Sequence, residues 1–103
     1  MKHVAPAMFW SKLHYLKYFV IGAICDEEIL GKKLKFGEIE VFINPRFYQG
    51  SLVNEEQALK IMKKIDIGNL FGNKIVDLAI KNGIIGENNV LIIDGIKHAQ
   101  FIK

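Results

Sequence analysis

Arginine is almost missing from this chain. Arg46 is the only one, so lysine supplies nearly all of the 14 basic residues. Arginine forks make most bidentate contacts to phosphates and base edges, so their scarcity excludes an arginine-built reading head. Cysteine is as scarce. Cys25 stands alone, which excludes an internal disulfide and predicts a reducing, cytoplasmic setting. Long apolar runs are absent too. The longest, residues 19–25, is far too short to span a membrane, so no membrane partner is expected. Residues 1–7 lack the apolar core of a signal peptide, and Met8 is a second candidate start; residues 1–7 are expected to be a frayed extension. His3, His14, His98 and Cys25 are scattered, with no C-x-x-C or H-E-x-x-H spacing. Neither a metal site nor a cofactor is expected.

What is present describes one globular domain. Of 103 residues, 50% are hydrophobic and 24% charged, which is neither disordered nor fibrous composition. The net charge of +3 and pI near 9.0 favour anionic partners such as RNA, although solubility alone also accounts for so mild an excess.

Residues 9–14 and 18–25 read as strands joined at Tyr15-Leu16-Lys17, the second apolar on both faces and so central. Asp26 is a candidate N-cap for a turn opened by Glu27 and Glu28 and closed by Gly31. Period-two alternation runs through residues 33–43 and ends at Asn44-Pro45; residues 46–53 follow as a loop or edge segment. A helix is predicted over 54–65, with Asn54 as N-cap, Gln57 at the capping-box position and Ala58, Ile61, Met62 and Ile65 as its apolar stripe. A second helix is predicted over 73–82, stopped by Gly83, with residues 66–72 as a plain connection between the two. Asp94-Gly95 marks a closing hairpin. The predicted fold is a single two-layer α+β domain over 8–103, with a mostly antiparallel sheet packed against two main helices and a C-terminal β-hairpin.

An ordered set of segments adds a family resemblance. Residues 25–32 (CDEEILGK), 47–53 (FYQGSLV) leading into an acidic helix start, 69–72 (NLFG) and 95–100 (GIKHAQ) resemble, in order and spacing, a small archaeal family catalogued only as domain of unknown function family 424. The resemblance covers about residue 8 onward. It implies a cytoplasmic archaeal protein with a compact α+β fold and carries no reaction. The chain departs from the family pattern at Tyr15-Leu16-Lys17, where a glycine turn is usual, and at Lys97, where proline is often found.

Three functional expectations compete. The leading one is a non-catalytic binding or accessory module associated with RNA or ribonucleoprotein. Trp10, Tyr15, Tyr18, Phe47 and Tyr48, with Lys12, Lys17 and Arg46, would form a stacking and charge surface, and Lys60, Lys63 and Lys64 would track a phosphate backbone. A structural role in core and solvated helix face explains the same residues. The second expectation is a small enzyme or ligand-binding domain, with Cys25 as thiol nucleophile and His98 as its base, joined by Asp26, Asn69, Gly72 and Gln100. The free amides at the start of the second helix, beside Asn69 and Gly72, would bind an anion, or the segment is a plain turn relieved at Gly72 and capped by Asn69 or Asn73. Against this, Cys25 fits equally a small buried hydrophobe. His98 and Gln100, on a strand face otherwise formed by Ile96 and Ile102, either hold a buried polar network or edge a pocket. The third expectation is a homo-oligomer joined by an exposed strand edge or apolar surface.

Overall fold

The computed structural model describes residues 5–103. His3 and the rest of residues 1–4 lie outside the described residues. Of the expected extension, Ala7 packs against the core.

Alternating apolar residues set the first hairpin. Strand β1 (Met8–Tyr15) pairs antiparallel with β2 (Val20–Asp26), and Leu16 N–H bonds the Phe19 carbonyl at 2.8 Å to close the turn without glycine. A single 3-10 turn, Glu27–Ile29, leads to Gly31 at φ +83°, and β3 (Lys33–Phe36) then folds back on β4 (Ile39–Phe42) as a separate two-stranded sheet.

The predicted loop or edge segment over 46–53 resolves into two elements. Asn44 accepts from the Arg46 N–H at 3.0 Å and Pro45 supplies a preset φ, so a helical turn forms, α1 (Pro45–Tyr48). Strand β5 (Ser51–Asn54) then pairs with β1 as a sheet edge.

Helix α2 (Glu55–Lys64) has the predicted reciprocal capping box between Asn54 and Gln57. Glu55 and Glu56 lie at its N-terminus and Lys63 and Lys64 at its C-terminus, matching the helix dipole at both ends.

The expected connection between helices is a correction. Ile67–Phe71 forms strand β6, hydrogen-bonded parallel to β2 and antiparallel to the last strand. Short strands buried on both faces show no alternation, and Gly68 and Asn69 disguise this one further. Gly68 is required there: a Cβ would run into the Phe101 ring. Helix α3 (Asn73–Lys81) follows, ended by Gly83 at φ +72°. Strands β7 (Val90–Ile93) and β8 (Ile96–Ile102) form the closing hairpin, with Asp94 and Gly95 both at positive φ.

The main sheet has the order β5-β1-β2-β6-β8-β7 and is antiparallel except at β2–β6. Helices α2 and α3 bury one face: Phe9, Ile24, Leu70, Ala99 and Val53 from the strands meet Ala58, Met62, Ile75, Val76 and Ala79. The other face is covered only in part. The β3–β4 hairpin and α1 pack Leu34, Ile43 and Tyr48 over Ala23, Cys25 and Phe71. The fold is therefore a mixed α+β domain with helices on one side and a half-open sheet face on the other.

Candidate functional site

Strand alternation decides which candidate residues meet. Cys25 and Asp26 are neighbours in β2, so their side chains point to opposite faces.

The Asp26 side chain makes no bond to the turn it was expected to cap. It reaches to the helical side and accepts from the N–H groups of Lys74 at 2.9 Å and Ile75 at 2.8 Å, at the start of α3. Gly72, at φ +129°, leaves the space it needs, since a Cβ would strike the carboxylate. The helix N-terminus weighed as an anion site or a turn capped by Asn69 or Asn73 is thus capped by neither asparagine and holds an internal carboxylate. Burial pushes the Asp26 carboxyl above its usual range, against the two N–H bonds, which favour the ionised form.

Cys25 is fully buried on the opposite face. Burial foremost, then the negative charges of Asp26 and Glu28, pushes its thiol up to about 12. His98 lies on the same cross-strand row, but Phe71 stands between: Cys25 pairs with Phe71, and Phe71 with His98. Two strand spacings, roughly 10 Å, separate thiol from imidazole. The Phe71 ring lies 4.5 Å from the His98 ring, centroid to centroid. A His98 ring nitrogen, Nδ1, bonds the Leu70 carbonyl at 2.9 Å. Burial lowers the His98 pKa, opposed by that bond to the carbonyl. The structure does not bring Cys25 and His98 together as nucleophile and base. Among the described residues no three His, Cys, Asp or Glu gather as a metal-holding group.

The next row on this face reads Lys12, Ala23, Asn69, Gln100 across β1, β2, β6 and β8. The row below reads His14, Ile21, Ile67, Ile102. Helix α1 crosses the β1 side of both. Lys12 Nζ donates to the Arg46 carbonyl at 2.8 Å, the His14 ring stacks on Phe47 at 4.7 Å, and the Tyr48 hydroxyl donates to Asn69 Oδ1 at 2.6 Å. Tyr48 is therefore buried and withdrawn from the stacking surface assigned to it. Trp10 is only partly exposed and packs on the same inner cluster. Gln100 and Ile102 stay exposed, so the expected apolar face of β8 opens onto a cleft instead of a buried network.

The remaining cations and rings divide by position. Tyr15 and Tyr18 are 74% and 77% exposed, flanking Lys17 at the β1–β2 turn, with Leu16 and Phe19 also exposed. Lys17 Nζ sits 5.4 Å from the Tyr18 ring centroid. This turn is tied to the end of α2. Asp66 accepts from Val20 N–H at 2.8 Å and donates its own N–H to the Val20 carbonyl at 3.0 Å. Lys103 N–H bonds the Asp66 carbonyl at 2.9 Å, and its Nζ bonds the Lys63 carbonyl at 2.5 Å. Lys17, Lys63, Lys64 and Lys103 thus gather at one end of the sheet. Lys60 lies farther up α2 and pairs with Glu56 at 3.6 Å. At the opposite end Glu27, Glu28 and Glu55 surround one depression with Met8 and Lys74. Sequence reading passed over Phe19 and Lys103: the first read as interior strand, and the second joins the group only through its bond to α2.

The fold and this partly open sheet face define a small mixed α+β domain with no helix, among the described residues, long and apolar enough to cross a membrane. The model of the family described as protein of unknown function (DUF424) matches residues 15–103, and the chain belongs to that family. It is similar to a solved structure described as an uncharacterized conserved protein from Methanopyrus kandleri: 25% identity, TM-score 0.80, covering 92% of this chain and 90% of that one. No curated protein matches the chain.

Proposed function

We propose that the chain is a cytoplasmic, non-catalytic module that binds single-stranded RNA at the β1–β2 end of its sheet. The observation that carries this reading is the pair Tyr15 and Tyr18, about three-quarters exposed beside Lys17 on an ordered turn. Leaving large rings in water is unfavourable, and aromatic faces beside lysines suit unpaired bases followed by their phosphates. Lys63, Lys64 and Lys103 extend the positive surface. The buried thiol and the Phe71 ring between Cys25 and His98 favour binding over thiolate chemistry.

Fluorescence anisotropy of a short labelled single-stranded RNA, titrated with protein at rising salt, tests the proposal. Binding at low salt that weakens steeply with added salt is the expected result. Absence of binding at low salt removes the reading.

A second reading is favoured by one observation. Strand β7 ends the sheet with the wholly aliphatic run Val90–Ile93, and Leu91 and Ile92 are 45% and 53% exposed. Lysine, proline or a bulge usually protects such an edge, and none interrupts this one. A second copy of the chain would pair there, extending the sheet across a dimer.

A further inference from the structure

A cleft of about 690 Å³ opens where β8 runs on past the start of β7. Ile21, Ile67, Asn69, Gln100, Ile102 and Phe47 line it from the open sheet face, it continues round β8 to Phe101, Ile84 and Ile85 on the helical side, and no charged side chain lines it. That is unexpected so close to a lysine-rich end. A phosphate or carboxylate would find no cation inside, and an amine no carboxylate. The ligand that fits is neutral and largely apolar, with hydrogen-bonding groups on one edge.

The polar groups in the floor are arranged for such an edge. Asn69 and Gln100 are direct cross-strand partners, so their carboxamides lie side by side on one face. The Tyr48 hydroxyl donates to Asn69 Oδ1 at 2.6 Å, which turns the Asn69 Nδ2 donors away from Tyr48. Burial raises the Tyr48 pKa and keeps that hydroxyl protonated. Gln100 is exposed and offers both a donor and an acceptor. A carboxamide carries a donor and an acceptor side by side, which matches the paired donor and acceptor of a base edge.

We propose that this cleft receives one unpaired nucleobase and reads its edge through Asn69 and Gln100, a deepening that rests on the single-strand reading of the neighbouring surface. Phe47 and the isoleucines pack against the base and shield its inner edge from water, and the lysines of the neighbouring turn hold the phosphates of the strand. Exclusion of water matters because an amide left unpaired by the wrong base then costs more than one that water can satisfy.

The test compares short homopolymers of each base, the same backbone lacking bases, and free nucleoside monophosphates, by anisotropy or its competition. The wild-type chain is expected to favour one base by roughly tenfold over the worst and to lose that increment on the abasic strand. Gln100→Ala, at an exposed position, and Asn69→Asp, which keeps an acceptor for Tyr48 but removes the donors, are expected to flatten the preference. Their salt dependence should remain that of the wild type. Equal binding to all four homopolymers and the abasic strand would overturn the base site and leave the RNA surface standing. So would an unchanged preference in Gln100→Ala. No binding to any strand or to any monophosphate overturns both proposals. Binding of free monophosphates with a base preference, without binding of strands, supports the cleft and assigns it to free nucleotides.

Discussion

The carboxylate of Asp26 accepts the Ile75 backbone N–H at 2.8 Å, across 49 positions of chain, and so fastens the end of β2 to the start of α3. Gly72 makes this bond possible by having no side chain. Asp26→Ala leaves the Lys74 and Ile75 N–H groups without that partner, the second of them fully buried, and is expected to cost about 2–3 kcal/mol. Gly72→Ala forces a side chain into the Asp26 carboxylate at a positive φ and is expected to cost at least about 2 kcal/mol. Because both changes break one interaction, the double variant should be destabilised by clearly less than the sum. Urea unfolding of the four proteins measures this; full additivity would show that the two residues act independently.

Cys25 links stability to alkaline pH. The folded chain holds the thiol proton up to about 12, whereas the ordinary value is 9.0. The unfolded chain therefore releases a proton first. Stability from this group is complete below pH 9.0 and falls as pH rises toward 12, by at most about 1.4 kcal/mol per unit. Tyr48, also raised by burial, acts in the same direction above 10.0. Between those two ordinary values Cys25→Ala should flatten the slope, read as Tm against pH. The native thiol should also react with a disulfide reagent only at the rate of unfolding. Fast reaction under native conditions would contradict the burial.

For the RNA surface, Tyr18→Ala should weaken binding by roughly tenfold, the scale of one missing base stack, while Tyr18→Phe should bind as the wild type does. Lys63→Ala with Lys64→Ala should lower the salt slope by about 1–1.5, near 0.7 for each single-strand phosphate that a lysine no longer neutralises. Lys60→Ala, whose side chain is paired with Glu56, serves as the comparison and should change the slope least. A slope indifferent to Lys63 and Lys64 would move the phosphate path elsewhere.

For the β7 edge, light scattering over a range of concentrations should show a mass rising toward twice that of the chain. Ile92→Lys should hold it at the monomer by placing a charge on the pairing strand. A monomer at every concentration for the wild-type chain removes the dimer reading.

The two helices, the cap of α2, the stop of α3 and the closing hairpin were legible because each rests on interactions within a few residues. Asn54 and Gln57 bond each other three positions apart, Gly83 ends α3 beside it, and Asp94-Gly95 takes the positive φ that its residue types tolerate. Strand β6 was not legible. Its identity comes from neighbours on both sides, β2 and β8, and its glycine is selected by the Phe101 ring above it. The candidate site divides in the same way. Lys17, Tyr15 and Tyr18 are adjacent in sequence and were found together, but exposure of the rings was not, because a turn lacking glycine gives no sign of which side chains face water.

By itself the sequence determined the two main helices, the outer hairpins, the family and the basic excess, all of which depend on short-range order or composition. Tertiary structure alone decided that Asp26 turns to the helices while Cys25 turns away, that Phe71 stands between Cys25 and His98, and that Asn69 meets Gln100 in an uncharged cleft. The physical reason is register. Each strand residue alternates sides with its neighbour, and which distant residue lies opposite it is set by hydrogen bonding between strands that the local sequence does not encode.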